Sequence, residues 1–309
     1  CVPMQGSGTF SVEAMLSTLV PKNGRVLLLV NGAYGKRMVK LCETAGIPYA
    51  AVEFTETEPP SREAAAAALD QHNDFTHLAA VHCETTSGIF NPLQPLGELA
   101  GERGLDFLVD AMSSFGGVPV DVDGWNITAL VSSANKCIQG TPGFGFVLVR
   151  RDALAQAEGN CRSLSLDLYA QWQGLDGNGQ FRFTPPTHAL LAFRQALAEL
   201  KEEGGVSARS ERYQNNNAIV LKGLEALGFK PLLEPTHRGY IITSFHYPEH
   251  ANFDFETFYQ HLNERGLVIY PGKVTAASCF RIGNIGHLFA RDMEDLVAAV
   301  EDVKNTMAF

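Results

Sequence analysis

Short apolar runs alternate with helical patterns through the first half of the chain. Apolar runs of four to six residues predict buried strands, and apolar residues that recur every three or four positions predict amphipathic helices. The predicted strands cover residues 25–30, 49–54, 77–82, 106–110, 129–132 and 144–149. The predicted helices cover residues 7–19, 34–45, 61–71 and 93–103. This alternation favours βαβ units, and hence an α/β fold with a mostly parallel sheet flanked by helices.

The second half of the chain has a different pattern. Residues 160–178 are polar and contain glycines, which predicts a surface loop. Two helices are then predicted, a long one that starts at the prolines of "TPPTHALLAFRQALAELKEEGG" and one over 207–227. Strands at 240–246 and 279–282 and helices at 255–265 and 292–307 follow. We therefore expect a large domain over residues 1–189 and a smaller α+β domain over residues 190–309.

Composition and charge exclude several classes of protein. The chain has 309 residues, of which 45% are hydrophobic and 19% are charged, close to globular averages. Its longest apolar runs are too short to span a bilayer, and no signal segment opens it, so we expect a soluble cytoplasmic protein with no membrane partner. A net charge of −10 argues against a general nucleic-acid-binding surface.

The six cysteines form no CxxC pair and no cluster with zinc-ligand spacing, so we predict no metal site. Scattered thiols of this kind fit a reducing compartment. The chain starts at Cys1, and "QGSGTFSVEAML" resembles the middle of a domain. We therefore expect that an N-terminal segment precedes this sequence.

The glycine-rich turn "QGSGTF" opens the first predicted helix. Glycines allow close backbone approach, and free N–H groups at a helix start favour a phosphate. The turn is neither a Walker loop nor a full GxGxxG motif. Taken alone, it is equally well explained as a plain turn before a helix.

Three charged residues lie at or near predicted strands. Asp110 ends an apolar strand, where a carboxylate could pair with a cationic ring nitrogen or cap a helix. Lys136 follows a strand among small residues, which suits Schiff-base chemistry, and the glycines at 140, 143 and 145 indicate close backbone approach there. Arg281, in "CFRIGNIG", offers a fork for a carboxylate or phosphonate, or is a solvated edge-strand residue.

These features occur in a fixed order along nearly the whole chain. The order is the Gly-Ser-Gly turn, "NGAYGKR", "HCETTSG", Asp110, Lys136 in "SANK", "RFTPP" and "FRIGNIG". It resembles the fold-type I aminotransferases of the class-V family, which depend on pyridoxal 5′-phosphate (PLP). The resemblance implies that Lys136 binds PLP through a Schiff base and that Asp110 pairs with the pyridinium nitrogen, so that the ring acts as an electron sink.

The resemblance also implies roles for residues around the ring. Tyr34 would stack on the ring face, where other members carry tryptophan, and Thr85 would lie near the phenolic oxygen. A core aromatic and a turn residue, respectively, are the structural alternatives for these two positions.

The resemblance places the cofactor phosphate at the first turn. Ser7, Gly8 and Thr9 would hold it at the helix N-terminus. Thr184 would reach the phosphate of the neighbouring subunit, which implies a homodimer with shared active sites. The structural alternative for Thr184 is the N-cap of the long helix.

The stretches "VDAMSSFGG", "SSANKCIQG", "RSLSLDLYAQW", "VIYPGK" and "FRIGNIG" look like the members of this family that act on 2-aminoethylphosphonate and pyruvate. This likeness implies transamination that gives phosphonoacetaldehyde and L-alanine. Arg281 would bind the acid group of each substrate. The candidates for a second donor to the phosphonate are Arg37, Arg182 and the N-terminal segment that we expect before this sequence.

Three alternatives stay open at this point. The first is a serine or alanine aminotransferase that uses glyoxylate or pyruvate. The second is a desulfurase-like lyase, which would need Cys279 or Cys161 as a nucleophile. The third is a truncated, non-catalytic protein with the same fold.

Overall fold

The computed structural model describes residues 1–274 and 276–309. Its strands are β1 (Val2–Gln5), β2 (Val26–Val30), β3 (Tyr49–Glu53), β4 (His77–Val81), β5 (Cys83–Glu84), β6 (Ile89–Phe90), β7 (Asp106–Asp110), β8 (Ile127–Ser133), β9 (Phe144–Val149), β10 (Ile242–His246), β11 (Tyr270–Pro271) and β12 (Cys279–Gly283). Its helices are α1 (Gly8–Leu19), α2 (Ala33–Ala45), α3 (Arg62–Leu69), α4 (Leu93–Glu102), α5 (Arg151–Ala155), α6 (Leu168–Asn178), α7 (Thr187–Glu203), α8 (Gly205–Ala226), α9 (Phe255–Glu264) and α10 (Ala290–Met307).

The large sheet is mostly parallel, which confirms the predicted fold class. Within the described residues it has seven strands in the order β1-β9-β8-β7-β4-β2-β3. The strands from β3 to β8 run parallel to their neighbours, whereas β9 and β1 add an antiparallel edge. Strand β2 is apolar throughout and every one of its residues is buried, because helices cover both faces of the sheet.

Two apolar layers hold the helices on the sheet. On one face, Leu28 and Val131 of the sheet pack with Met15 and Leu16 of α1. On the other face, Leu29 and Phe107 belong to a layer that includes α3 and α4. Because adjacent residues of a strand point to opposite faces, Leu28 and Leu29 contribute to different layers.

A second, antiparallel sheet has the order β10-β12-β11. Its core is rich in phenylalanine and contains Phe245, Phe258 and Phe280 together with residues of α8 and α10. The predicted boundary at residue 190 falls inside α7, and Ala189 and Ala196 of that helix pack with residues of the large sheet. The division into two domains stays a prediction.

The predicted loop over residues 160–178 is wrong in its second part, because α6 covers Leu168–Asn178. The Asp167 side chain caps this helix by accepting a hydrogen bond from the Ala170 amide. Gln171 is buried and donates to the Pro3 carbonyl of β1 at 3.2 Å. The polar residues and glycines of this segment favour a loop, and contact with β1 stabilises its helical conformation instead.

Helix starts follow the sequence signals more closely. The Ser61 hydroxyl accepts a hydrogen bond from the Ala64 amide at 3.1 Å, and Pro92 immediately precedes α4. Serine before a helix and proline near its first turn favour a helix start, and both positions agree with the helices predicted over residues 61–71 and 93–103. In the described part of the chain, no helix is both long enough and apolar enough to cross a membrane.

Candidate active site

The carboxyl ends of four neighbouring parallel strands form one edge of the large sheet. Because β8, β7, β4 and β2 lie side by side in that order, the segments that follow them meet there. These segments carry Lys136 after β8, Asp110 at the end of β7, Thr85 beyond β4 and Tyr34 beyond β2. The sheet order therefore brings these four predicted site residues to the same edge.

Asp110 is a buried carboxylate with few partners. It is 5% exposed, and its Oδ1 accepts a hydrogen bond from the Met112 amide at 2.9 Å. Burial raises the pKa of Asp110 to about 6, while the Met112 amide and the charges of Arg37 and Lys136 act to lower it. A cation placed against Asp110 would favour the carboxylate form.

Lys136 lies on a loop whose backbone is firmly held. Gln139 has a φ of 67° and donates to the Tyr213 hydroxyl at 2.6 Å. The buried Arg209 donates to the carbonyl of Cys137 at 2.7 Å. Within the described residues, the Lys136 amine itself makes no hydrogen bond and no ion pair. The loop is fixed, and its amine is left available.

The glycines that follow Lys136 approach the protein itself rather than an open pocket. A Cβ at Gly140 would lie 2.9 Å from the Ala134 carbonyl oxygen, and one at Gly145 would lie 2.4 Å from the Ser11 hydroxyl. The close approach predicted from these glycines is therefore real, but it serves packing of the lysine loop and of β9 against α1.

Tyr34 and Thr85 contact each other at the same edge. The Thr85 hydroxyl donates to the Tyr34 hydroxyl at 3.1 Å. The Arg37 guanidinium lies 5.0 Å from the centre of the Tyr34 ring and donates to the Thr9 hydroxyl at 3.2 Å. These contacts connect the start of α2 with the glycine-rich turn before α1.

The turn over residues 6–9 lies next to Asp110. Gly6 has a φ of 107°, a conformation that favours glycine, and Ser7 is the N-cap residue of α1 without a capping hydrogen bond from its side chain. A Cβ at Gly8 would lie 2.2 Å from the sulfur of Met112, two residues after Asp110. The first amides of α1 and the exposed Ser7 hydroxyl form a suitable anion site beside that carboxylate.

Arg281 is a buried cation bound to backbone carbonyls. It is 5% exposed, donates to the Thr85 carbonyl at 2.7 Å and donates to the Pro271 carbonyl at 3.0 Å. Its guanidinium lies 5.8 Å from the centre of the Tyr270 ring. In the part of the chain that the structure describes, no carboxylate lies within ion-pair distance of Arg281. A buried guanidinium without a counter-ion is suited to an anionic ligand.

Thr184 and Arg182 lie outside this cluster. Thr184 is exposed, and its carbonyl accepts a hydrogen bond from Gln5, the residue before the glycine-rich turn. The N-cap of α7 is Pro186, so the capping alternative for Thr184 is wrong. Arg182 donates to the Leu164 carbonyl at 3.0 Å and stacks on the Phe183 ring.

The two candidate nucleophilic cysteines lack activating surroundings. Cys279 is buried in β12, and burial raises the pKa of its thiol, which disfavours the reactive thiolate. Cys161 is half-buried, and its thiol lies 3.6 Å from the Ser17 hydroxyl beside α1. The burial of Cys279 therefore argues against that residue as the nucleophile of a lyase.

Sequence reasoning missed two buried polar residues in "HCETTSG". Glu84 accepts hydrogen bonds at the start of α2, and burial raises its pKa to about 7. His82 Nδ1 lies 2.9 Å from the Ser114 hydroxyl, and burial lowers its pKa to about 4. Both follow the buried strand β4, whose last four residues are apolar, and an apolar strand is also the signal that singled out Asp110 at the end of β7.

The chain matches known aminotransferases over most of its length. Residues 4–290 match the family described as Aminotransferase class-V. The 2-aminoethylphosphonate–pyruvate transaminase of Klebsiella pneumoniae is 49% identical over 302 residues, which are 97% of this chain and 82% of the relative. The transaminase of the same name from Bacillus cereus is 50% identical over 300 residues, with the same coverage of both chains.

Solved structures share the fold at lower identity. Alanine–glyoxylate aminotransferase from Nostoc sp. superposes with a TM-score of 0.89 at 27% identity, over 97% of this chain and 80% of that one. Pyridoxamine–pyruvate aminotransferase from Mesorhizobium loti superposes with a TM-score of 0.91 at 23% identity, over 100% of this chain and 80% of that one. The second of these likenesses concerns the fold alone.

Proposed function

The chain belongs to the aminotransferase class-V family, and from this premise we propose that it is a PLP-dependent transaminase that converts 2-aminoethylphosphonate and pyruvate into phosphonoacetaldehyde and L-alanine. The observation that carries the proposal is the 48–50% identity to transaminases named for these two substrates, across 97% of the chain. The structurally similar alanine–glyoxylate aminotransferase is only 27% identical, so the glyoxylate alternative has weaker support.

The residues at the carboxyl edge fit PLP. The turn at residues 6–9 offers a helix start to the phosphate, and Asp110 offers a buried carboxylate to a cationic ring nitrogen. Lys136 offers an amine that has no hydrogen-bond or ion-pair partner among residues 1–274 and 276–309. A cationic ligand would also stabilise Asp110. Burial disfavours the charged form of this carboxyl group, and a nearby pyridinium would favour the carboxylate.

When bound, PLP supplies an aldehyde that exchanges amines and a ring that delocalises the electron pair of a broken C–H bond. The chain supplies the proton transfer and the orientation. The Lys136 amine takes a proton from the substrate carbon and returns it one position along, a general acid–base step typically worth about 10²–10⁴-fold in rate. With PLP bound, Asp110 would keep the ring nitrogen protonated, and Tyr34 would stack on the ring face.

Arg281 binds the acid group of each substrate in this proposal. A phosphonate carries up to two negative charges, and one guanidinium neutralises only one. Arg37 is the better candidate for a second donor, because it contacts Thr9 and Tyr34 and its charge acts on Asp110. The guanidinium of Arg182 is instead engaged with Leu164 and Phe183.

We also propose a homodimer with shared active sites. Thr184 is exposed beside the strand that enters the phosphate turn, where it could reach the cofactor of a partner subunit. Phe10, Leu164 and Phe183 are large apolar side chains that are 48%, 78% and 45% exposed, as expected of a surface that a second copy covers. Sedimentation equilibrium distinguishes a dimer of this 33.6 kDa chain from a monomer.

The test of the function is a spectroscopic titration of the PLP-loaded protein. We expect 2-aminoethylphosphonate to convert the visible absorption band of lysine-bound PLP to the near-ultraviolet band of the aminated cofactor, and pyruvate to reverse the change with formation of alanine. Serine should leave the band unchanged. A response to serine and glyoxylate but not to the phosphonate would instead support the alternative aminotransferase.

A further inference from the structure

Glu84 is a buried carboxylate that the proposed reaction does not use. It ends β5, immediately before Thr85, and its side chain is fully buried. Charged side chains are almost never fully buried unless they are paired, because water is lost from the charge. The contacts of Glu84 therefore need a physical explanation.

Glu84 accepts a hydrogen bond from the Thr86 hydroxyl at 3.2 Å, and its other hydrogen bonds are those of a helix cap. Its Oε1 accepts a hydrogen bond from the Gly35 amide at 2.7 Å, and its Oε2 accepts one from the Tyr34 amide at 3.3 Å. These amides belong to the second and third residues of α2, which have no partner within the helix. A negative charge there also interacts favourably with the helix dipole.

Helix α2 leaves room for this external cap. Its N-cap residue, Gly32, has no side chain that could accept a hydrogen bond. A Cβ at Gly32 would lie 2.5 Å from the Glu84 Oε2 atom. Helices α3 and α9 are instead capped by their own N-cap residues, Ser61 and Asp254. The buried Glu84 carboxylate of β5 thus takes the place of a capping side chain at the N-cap residue of α2.

The cap acts on a residue of the candidate active site. Glu84 holds the backbone amide of Tyr34, while Thr85, the next residue, holds the Tyr34 hydroxyl at 3.1 Å. The carbonyl of Thr85 in turn accepts a hydrogen bond from Arg281. Tyr34 is therefore fixed at both ends by two consecutive residues, and Arg281 is bound to the same segment.

We propose that Glu84 is a positioning residue, which holds Tyr34 and Thr85 in place for the cofactor ring by capping α2 from outside that helix. The inference rests on the proposed function, because it assumes that Tyr34 and Thr85 face PLP. A buried carboxylate cap loses more hydration free energy than a cap at the surface, and burial accordingly raises the pKa of Glu84 to about 7. Because Glu84 immediately precedes Thr85, the cap joins the start of α2 to the segment that contacts the Tyr34 hydroxyl, which a surface cap could not do.

The test compares two substitutions of the same chemistry. Glu84→Gln and Asp254→Asn each change a capping carboxylate to an amide, but Asp254 caps α9, whose core cluster lies in the smaller sheet. The measurements are the dissociation constant of PLP and the visible circular dichroism of bound PLP. We expect Glu84→Gln to weaken PLP binding roughly tenfold and to change the dichroism, on the scale of one lost cap. Asp254→Asn should change neither.

The proposal would be contradicted if Glu84→Gln kept native PLP affinity and native dichroism. Its melting temperature would then be reduced only as much as that of Asp254→Asn. Glu84 would then be only a helix cap. If the unsubstituted protein binds no PLP, that result contradicts the proposed function rather than the role of Glu84. Hydrogen exchange at the Tyr34 and Gly35 amides of the cofactor-free protein would still decide whether Glu84 fixes this segment.

Combined substitutions keep the test decisive if Glu84→Gln does not fold. Gly32→Ser alone should be harmful, because its Cβ collides with the Glu84 carboxylate and lies 2.7 Å from the Thr86 hydroxyl. When Glu84→Ala and Thr86→Ala are both present, the same serine gains space and supplies a local capping hydroxyl. We expect the triple variant to bind PLP more tightly than the Glu84→Ala, Thr86→Ala double variant does. Equal or weaker binding would contradict the proposal.

Discussion

Strand β7 begins with one aspartate and ends with another, and the two have opposite surroundings. Asp106, at the amino end, accepts hydrogen bonds from the Thr128 hydroxyl at 2.9 Å and from Arg150 at 3.3 Å. His77 Nε2 lies 3.7 Å from its other oxygen. The protein itself supplies the partners of this carboxylate, and its side chain is still 37% exposed.

Asp110, at the carboxyl end, has the Met112 amide as its hydrogen-bond donor and is almost completely buried. Nearby, Lys136 has no hydrogen-bond partner in the described residues, and Arg281 is bound only to carbonyls there. The protein completes the polar contacts at one edge of the sheet and leaves charges for a ligand at the other. This difference fits the proposal that Asp106 is a structural carboxylate and that Asp110 binds the cofactor.

The largest expected effect is that of removing the amine at the carboxyl edge. Lys136→Ala should abolish turnover, because both the attachment of the cofactor and the proton transfer are lost. The measurement is alanine formation from 2-aminoethylphosphonate and pyruvate. Lys40→Ala, which removes an exposed lysine paired with Glu43, is the control and should keep native rates. Near-native turnover in Lys136→Ala would remove Lys136 from the mechanism.

The next effect contrasts the two ends of β7 directly. Asp110→Asn should lower kcat by about 10²–10³-fold, the scale for loss of a preorganised charge in an active site. Asp106→Asn should leave kcat within about twofold of the native value and reduce the free energy of unfolding by about 0.5–1.5 kcal/mol, since it weakens partly exposed hydrogen bonds. Steady-state kinetics and urea unfolding of both variants test this; equal kinetic effects would contradict the comparison.

A smaller effect is expected at Arg281. Arg281→Lys keeps the charge but loses the planar fork, so the KM values for 2-aminoethylphosphonate and pyruvate should both rise roughly 10- to 100-fold. Arg182→Lys is the matched control, because its guanidinium lies away from the cluster. A selective rise for one substrate would show that the two acid groups bind at different places.

The last effect concerns the pH dependence of stability rather than catalysis. Burial raises the pKa of Asp110 from 3.8 to about 6, so the folded protein holds this proton more tightly than the unfolded chain does. The resulting stability is present below about pH 4 and is lost as the pH rises towards about 6, by on the order of 3 kcal/mol. Without PLP, Asp110→Asn should therefore gain stability relative to the native protein over this range.

Bound PLP should remove that difference, since a ring cation stabilises the Asp110 carboxylate. Urea unfolding between pH 4 and pH 7, with and without PLP, measures both parts of the prediction. An unfolding free energy of Asp110→Asn that runs parallel to the native curve throughout would contradict the assigned pKa.

Strong local patterns predicted most of the fold. The bounds of β7 and β9 and the cap of α3 were predictable, because apolar runs and capping residues act within a few positions. Helix α6 was not predictable, since its glycines disfavour a helix and the burial of Gln171 against β1 supports it. The short strand β1 likewise depends on pairing with β9, far along the chain.

The candidate site divides in the same way. Asp110 and Lys136 could be predicted from strand ends, and the order of motifs related them to Tyr34 and Arg281. Glu84 could not be predicted as a cap, because the amide that it holds most closely lies 49 residues away. The two segments are brought together by the pairing of β2 with β4, which is not evident from either segment alone.

Borohydride trapping tests most directly whether Lys136 and Asp110, at the carboxyl edge of the sheet, belong to a cofactor site. The protein is incubated with PLP, reduced with borohydride, digested and analysed by mass spectrometry. The account predicts loss of the visible band and one phosphopyridoxyl group on Lys136, which Lys136→Ala prevents. Labelling of another lysine instead, or no covalent label on a protein that retains its fold, would contradict it.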